Sequence, residues 1–309
     1  MKAFMKCWGL VLALGAVACV DPKDKPDLVH DFRVLGLSTE RPELYAPICE
    51  LTDEAIDSLR SEVTFRALLV DPNGQGRPIQ YTLWACADAD DTTCSDTANR
   101  VKLAEGSTNE GELSLAIHPG DTTSEDGTPL LVRVKEKDPY QGLGGVRMPL
   151  VLHAKAGNEE VYAQKLMVFW CPLVEGMKPN VNPTLPGLRL EGESWSASGV
   201  PEIHGKGPFV LQAEDVSALQ EEYIVPGLRE YQQAVHLKES WIITWFATFG
   251  EFSPQVTGGT DFGGQPGRHR TEWEPPEELG EARDVVFWAV VRDGRGGQSW
   301  VSRRLHWSP

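Results

Sequence analysis

The segment DVVFWAVVRDGRGGQSWVSRRLHW, residues 284–307, indicates an antiparallel β-hairpin near the end of the chain. Two runs rich in β-branched and aromatic residues, 285–291 and 299–307, flank a glycine-rich stretch at 293–297. Such runs favour strands, and a short glycine-rich connection between them is typical of a hairpin turn. We therefore predict a tight turn in which the Asp293 carboxylate accepts hydrogen bonds from nearby backbone N–H groups.

The first strand of this hairpin is apolar on both faces. Strand alternation places Val286, Trp288 and Val290 on one face and the apolar residues 285, 287 and 289 on the other. An antiparallel sheet with one face in water would alternate polar and apolar side chains. The second face must therefore be covered by a partner or by the chain itself, and we favour the loop 258–270. In the partner alternative, Trp288 and Trp300 form an aromatic contact face.

The remaining sequence predicts many short strands separated by turns. Strands are expected at 63–70, 79–85, 101–103, 113–117, 130–135, 161–170 and 241–246, and a helix at 213–225. The chain has 309 residues with 30 Gly and 22 Pro, enough length for two turn-rich domains. We predict an all-β protein with Greek-key β-sandwiches at 27–172 and 179–309, joined by a linker at 173–178.

Three segments of the second domain resemble the immunoglobulin-like and PKD-like modules of bacterial proteins. They are WIITWFATFGEFS (241–253), TEWEPP (271–276) and VVFWAVVRDGRGG (285–297). In the first domain, VTFRALLVDPNGQGRPIQYTLWAC (63–86) resembles strands B and C of the same superfamily. The resemblance implies two immunoglobulin-like sandwiches in tandem, with Trp245 and Trp273 at core or turn positions. The insertion 258–270 departs from the compact pattern.

The N-terminal residues predict export and lipid attachment. A short basic region with Lys2 and Lys6 precedes an apolar segment at 8–18, which is too short to span a bilayer as a helix. Small residues followed by Cys19 resemble the lipobox of bacterial lipoproteins, which implies a signal peptide at 1–18, a lipidated Cys19 and a tether at 19–26. An ordinary secretory signal with cleavage after the same small residues is the alternative.

The combination of a lipobox with two such modules is similar to a group of envelope lipoproteins of Gram-negative bacteria. This similarity implies a cell-envelope location, with the chain anchored by lipid at the outer membrane. The implied partners are the membrane, through the N-terminal anchor, and an envelope protein or polysaccharide. A formal net charge of −16 argues against nucleic acid as a partner, because like charges repel.

The cysteines also fit an exported protein. Cys49, Cys86, Cys94 and Cys171 remain after the leader and the lipidated residue, an even number in an oxidising compartment. The short spacing of Cys86 and Cys94 favours a disulfide across a hairpin, which leaves Cys49 to pair with Cys171. A metal site is the rival interpretation, but the sequence contains no CxxC or histidine-spaced pattern.

No segment carries a motif for catalysis, such as GxSxG, HExxH or a phosphate-binding loop. The acidic stretches 88–96 and 71–76 could supply calcium ligands, but neither has EF-hand spacing, and a solvated loop is the simpler interpretation. We expect a non-catalytic binding or structural module without a cofactor or metal. The alternatives are a calcium-dependent adhesin, a carbohydrate-binding surface protein or a hydrolase with an unrecognised site.

Overall fold

A computed structural model of the chain describes residues 25–46, 50–139, 145–227, 233–258, 269–276 and 280–309. The described residues form two β-sandwiches, each around its own apolar core. The first core runs from Phe32 to Phe169, and the second runs from Leu185 to Trp307. The predicted signal peptide, Cys19, Cys49 and most of the insertion 258–270 lie outside the described residues.

The first sandwich consists of a three-stranded sheet, ordered β1-β3-β6, and a five-stranded sheet, ordered β2-β8-β7-β4-β5. All pairs are antiparallel except that β2 runs parallel to β8. Its strands are β1 (Arg33–Thr39), β2 (Glu43–Tyr45), β3 (Val63–Val70), β4 (Ile79–Cys86), β5 (Arg100–Thr108), β6 (Glu112–Ile117), β7 (Val146–Ala156) and β8 (Glu159–Trp170). Its α-helices are α1 (Asp53–Ser58) and α2 (Leu130–Lys137), and a 3₁₀ helix spans Thr97–Asn99.

The second sandwich consists of two five-stranded sheets, ordered β10-β9-β12-β18-β16 and β11-β20-β19-β15-β17, and a separate hairpin of β13 and β14. Its first strands are β9 (Leu188–Leu190), β10 (Glu193–Trp195), β11 (Glu202–His204), β12 (Phe209–Ala213), β13 (Glu222–Pro226) and β14 (Ala234–Lys238). The others are β15 (Ile242–Ala247), β16 (Glu251–Ser253), β17 (Val256–Gly258), β18 (Arg270–Glu274), β19 (Arg283–Arg292) and β20 (Gln298–Ser308).

The two sandwiches share one topology. In each, the last two strands form an antiparallel hairpin, and a short early strand runs parallel to the final strand at the edge of the same sheet. The facing sheet contains β1, β3 and β6 in the first sandwich and the matching strands β9, β12 and β18 in the second, so its neighbouring strands are not consecutive in the chain, as in a Greek key. The prediction of two immunoglobulin-like Greek-key sandwiches is confirmed.

Five tryptophans of the second domain, Trp195, Trp241, Trp245, Trp273 and Trp307, lie in its core. Trp245 on β15 and Trp273 on β18 are fully buried, which confirms their predicted core placement. Their indole N–H groups also have partners: Trp245 donates to Thr257 Oγ1 at 3.0 Å, and Trp273 donates to the Phe249 carbonyl at 2.8 Å. Because both N–H groups are satisfied, the rings can be buried without an unpaired polar atom.

Two predicted elements are wrong. Residues 130–135 were expected to form a strand but lie in α2, because Leu130, Leu131 and Val134 form one helical face that packs into the first core. Residues 213–225 were expected to form a helix, but β12 ends at Ala213 and β13 begins at Glu222.

Among the described residues, no helix has the length and apolar character needed to cross a membrane.

Candidate functional site: the junction of the two sandwiches

The first sandwich covers the second apolar face of β19. Trp288 is 8% exposed and Val290 is fully buried, and both pack in one cluster with Leu35 on β1 and with Leu68 and Val70 on β3. Half-buried side chains from the second sandwich complete the cluster: Phe246, Val286 and Trp300. The apolar face that the sequence leaves unexplained is therefore buried between the two domains.

The alternative of an aromatic contact face is wrong for Trp288, because the three-stranded sheet of the first sandwich buries it. The favoured cover, the loop 258–270, lies mostly outside the described residues, so its part in covering this face stays a prediction. Trp300 is half-buried at the edge of the junction, where its Nε1 donates to Glu112 Oε1 at 2.9 Å. The Arg66 guanidinium lies 5.3 Å from its ring centroid, so Trp300 also contacts the first sandwich.

Gly36 allows β1 to approach Trp300 closely. A Cβ atom at this position would lie 2.8 Å from the Trp300 Cε3 atom, which is shorter than a normal van der Waals contact. The pairing of β1 with β3 also shifts register between Val34 and Gly36. A residue with a side chain here would push the two sandwiches apart.

The N-terminal segment 25–32 contacts the second sandwich before the chain enters the first. The Val29 N–H donates to the Ala247 carbonyl at 2.8 Å, and the Ala247 N–H donates to the Asp27 carbonyl at 3.0 Å. The Asp27 carboxylate accepts a hydrogen bond from the Phe252 N–H at 3.2 Å, and Lys25 forms an ion pair with Glu251. Two stretches of chain therefore connect the domains: this segment, and residues 171–187 between β8 and β9, which contain the predicted linker 173–178 and which we call the interdomain linker.

The turn between β19 and β20 faces the junction. Asp293 is 2% exposed, and its Oδ1 accepts hydrogen bonds from the N–H groups of Arg295 at 2.7 Å and Gly297 at 2.9 Å. This confirms the predicted role of Asp293 in shaping the turn. Its other oxygen, Oδ2, accepts a hydrogen bond from Asn180 Nδ2 at 2.7 Å, so the same carboxylate also holds the interdomain linker.

Two asparagines of the linker bridge the sandwiches. The Asn180 N–H donates to Glu43 Oε2 at 2.8 Å, on the first sandwich. Asn182 donates to the Thr39 carbonyl at 2.7 Å and accepts from the Gln298 N–H at 3.0 Å. The sequence NVNP (180–183) gives no pattern that identifies these contacts, because each partner is more than 100 positions away along the chain.

Arg295 lies among three carboxylates that come from both sandwiches. Its guanidinium is 3.8 Å from Glu43, 3.5 Å from Glu221 and 3.4 Å from Glu239, and its side chain is 12% exposed. The Glu239 side chain is 1% exposed and accepts a hydrogen bond from Trp241 Nε1 at 2.8 Å. Burial raises the pKa of the Glu43 carboxyl, an effect that the Asn180 hydrogen bond and the Arg295 charge oppose.

Lys165 on β8 is the buried cation on the other side of the turn. It is 6% exposed, and its Nζ donates to the Gly296 carbonyl. Burial lowers its pKa to about 8, although the charges of Asp293 and Glu43 oppose this change. Alternation along β8 places Lys165 among the inward-facing side chains of the strand, but the sequence analysis did not predict a buried charge there.

The junction polar cluster is the name we give to the polar side chains that join the two sandwiches: Glu43, Lys165, Asn180, Glu239, Asp293 and Arg295.

The depressed pKa of Lys165 predicts a pH dependence of stability. An unfolded lysine titrates near pH 10.4, so between pH 8 and that value the unfolded chain binds more protons than the folded chain. The free energy of unfolding contributed by Lys165 should therefore increase with pH across this window, by up to about 3 kcal/mol. Urea unfolding at both ends of the window should show this increase in the wild type and not in Lys165→Met.

The matched control is Lys206→Met, which removes an exposed lysine from the second sandwich. This variant should follow the wild-type pH dependence, because it leaves the buried Lys165 unchanged. An identical pH profile for the wild type and Lys165→Met would contradict the prediction.

A groove of about 690 Å³ opens beside the buried cluster. Leu68, Val286 and Trp288 supply its apolar floor, and Asp71 and Asp284 lie at its rim. The two rim carboxylates already have partners, because Arg77 Nε lies 2.7 Å from Asp71 and His306 Nδ1 lies 2.8 Å from Asp284. The groove can admit a side chain or ring of a partner molecule but is mainly the open edge of the interdomain contact.

The acidic loop 88–96 is organised by its own hydrogen bonds. Asp91 Oδ2 accepts from the Ser95 N–H at 2.6 Å, and Asp91 Oδ1 accepts from the Thr93 N–H at 3.2 Å. Burial opposes the change, but these bonds lower the pKa of Asp91 to about 2. In the part of the chain that the structure describes, no group of three or more His, Cys, Asp or Glu residues could hold a metal ion.

The predicted bridge between Cys86 and Cys94 is confirmed, with the two Cα atoms 5.8 Å apart. It joins the end of β4 to the loop that leads into β5. Cys171 is also disulfide-bonded. Its predicted partner, Cys49, lies outside the described residues, so that pairing stays a prediction.

No protein-family model matches the chain, and no curated protein matches it. Among solved structures, it is similar to elastase-activated α2-macroglobulin of Escherichia coli, with 8% identity, TM-score 0.28 and coverage of 93% of this chain and 22% of that one. Latent PorU of Porphyromonas gingivalis has 10% identity, TM-score 0.23 and coverage of 90% and 24%. The tandem V-type regions of the chitin-binding protein VCBP3 have 10% identity, TM-score 0.23 and coverage of 88% and 99%.

The chain thus spans about a quarter or less of the first two of these proteins. The identities and TM-scores are low, and they assign neither a family nor an activity to the chain.

Proposed function

We propose that this protein is a non-catalytic binding or structural module of the cell envelope, anchored at the outer membrane by lipid on Cys19. The observation that carries this proposal is the continuous junction, in which an apolar cluster and the junction polar cluster join the two sandwiches. Contacts of this kind restrict the relative motion that two linked domains otherwise show. A rigid pair of sandwiches suits a protein that presents a surface in a fixed orientation.

The position of the first described residues supports anchoring close to the membrane. Lys25 lies six positions after Cys19, so a fully extended tether reaches about 20 Å. Lys25 and Asp27 contact the second sandwich, so the lipid would hold the junction itself near the bilayer surface. Two or three acyl chains on one cysteine would anchor the protein stably.

The surroundings of three buried ionisable groups support a structural role. Lys165 donates to the turn between β19 and β20, Asp293 accepts from Asn180, and Glu239 accepts from Trp241, directly before β15. These contacts join separate parts of the same chain, as a structural role requires. A calcium-dependent adhesin, a carbohydrate-binding surface protein and a hydrolase remain the alternative proposals.

The anchor is tested by Cys19→Ala in the full chain. We expect wild-type protein from native membranes to enter the detergent phase on phase separation, and its intact mass to exceed that of the polypeptide beginning at Cys19 by the acyl groups. Cys19→Ala should move to the aqueous phase, because the attached lipid is lost. Cys7→Ala, which changes the leader cysteine, is the matched control and should behave like the wild type.

The intact mass also separates lipid loss from a retained leader, which could itself hold Cys19→Ala in the detergent phase. A cleaved Cys19→Ala chain that still enters the detergent phase would show that Cys19 does not carry the anchor.

A further inference from the structure

The outer face of the five-stranded sheet in the first sandwich lies opposite the sheet that packs at the junction. Strand alternation turns Trp84, His153 and Tyr162 outward, while Leu83 and Leu152, their inward neighbours, lie in the first core. Thr82, His153 and Tyr162 pair directly across β4, β7 and β8, so the two rings sit side by side on this face.

The two rings are held in one orientation. The His153 and Tyr162 rings stack with centroids 4.5 Å apart and planes 10° from parallel. The Glu160 carboxylate fixes both, because it lies 2.8 Å from His153 Nε2 and accepts the Tyr162 hydroxyl hydrogen bond at 3.1 Å. Tyr162 is nevertheless 44% exposed, so its ring presents a fixed flat surface to solvent.

Arg100 is also held in place on this face. Its guanidinium lies 4.3 Å from the Trp84 ring centroid, and its Nη1 donates to the Cys94 carbonyl at 2.9 Å. The disulfide to Cys86 fixes Cys94 in turn. The other N–H groups of Arg100 donate to no residue that the structure describes. They therefore form a planar donor set that can bind a carboxylate through two parallel hydrogen bonds.

Arg100 and Lys155 on this face have no carboxylate partner among the residues that the structure describes. The acids on the strands are already engaged, Glu105 by Lys102 at 2.7 Å and Glu160 by the paired rings. The acidic loop 88–96 adds aspartates at the Arg100 end of the face, but their hydrogen bonds stay within the loop. Arg100 and Lys155 are therefore the cations through which the strands can contact an anionic ligand.

We propose that this face binds a carboxylate-bearing polysaccharide, in an extension of the proposed binding function. The exposed Tyr162 ring packs against the apolar side of a sugar ring, and Arg100 binds a carboxylate of the same chain. Lys155 contacts a second carboxylate. Arg100 pairs with Cys86, and Lys155 pairs with Gln80, six residues earlier on β4. The rise of a strand places these rows roughly 20 Å apart, enough for several sugar units.

The experiment is native gel electrophoresis of the full-length protein in gels that contain polygalacturonate, alginate or neutral dextran. We expect polygalacturonate or alginate to retard the protein and dextran to leave its mobility unchanged. Added salt should weaken the retardation, because the contact with Arg100 and Lys155 is electrostatic and partly exposed.

Variants on the face identify the contacts. Tyr162→Ala and Arg100→Gln should each weaken binding by about tenfold, the effect typical of a central contact residue. Tyr162→Phe keeps the ring and should bind like the wild type. Lys155→Glu should weaken binding, whereas Lys206→Glu makes the same charge change on the second sandwich and should not.

Three results would overturn the proposal: no retardation by either acidic polysaccharide, equal retardation by dextran, or wild-type binding by folded Tyr162→Ala and Arg100→Gln. Binding to phosphatidylglycerol vesicles without binding to either polysaccharide would assign the face to a membrane instead. Because the Cys19→Ala experiment does not involve this face, a failure here is distinguishable from a failure of the proposed anchoring.

Discussion

Trp288→Ala is expected to lower the free energy of unfolding by about 3 to 5 kcal/mol, the usual cost of removing a buried aromatic side chain. The indole is 8% exposed and packs against Leu35, Leu68 and Val70 of the other sandwich, so the cavity opens between the domains and not within one core. We therefore also expect the two sandwiches to lose their coupling. Calorimetry of the full chain should show one unfolding transition for the wild type and two for the variant.

Tyr162→Ala is the matched control, because it truncates an aromatic ring that is 44% exposed and lies away from the junction. This change should alter stability by less than about 1 kcal/mol and preserve the single transition. If Trp288→Ala unfolds in one transition at the wild-type temperature, the apolar cluster does not couple the domains.

The strands are the part of the fold that the sequence predicts best. The predicted strand 63–70 coincides with β3, and the predicted hairpin 285–307 coincides closely with β19 and β20. In both places, the local pattern of β-branched residues and turn glycines agrees with the tertiary structure.

The strand predicted at 130–135 is wrong because Leu130, Leu131 and Val134 suit either a strand or a helix. Only their packing into the first core selects the helix α2.

The junction was predictable in part. The sequence of β19, apolar on both faces, predicts that something covers its second face. It does not predict that β1 and β3 form this cover, because they lie more than 200 positions earlier in the chain.

The sequence signal for the junction polar cluster is weaker. Lys165 stands between Ala163 and Met167 in an inward row, which marks a buried charge but does not name its partner. Such pairings arise from domain packing, which local periodicity does not encode.

Arg295→Met is the second prediction with a large effect, because it leaves carboxylates buried without their cation. The substitution keeps an apolar stem over Tyr223, whose ring centroid lies 4.2 Å from the guanidinium carbon, but removes the charge beside Glu239 and Glu43. Removing one partner of a buried ion pair typically costs about 3 to 5 kcal/mol. Urea unfolding at neutral pH should show a loss of this size.

A matched control and a second substitution separate this effect from the loss of packing. Arg270→Met removes an exposed arginine that pairs with Glu272 on β18, and it should cost less than about 1 kcal/mol. Glu239→Gln in the Arg295→Met background should restore part of the lost stability, because the buried group is then neutral and its carbonyl oxygen can still accept from Trp241. If the double variant is no more stable than Arg295→Met, the loss comes from packing over Tyr223. A buried unpaired charge would then not be its cause.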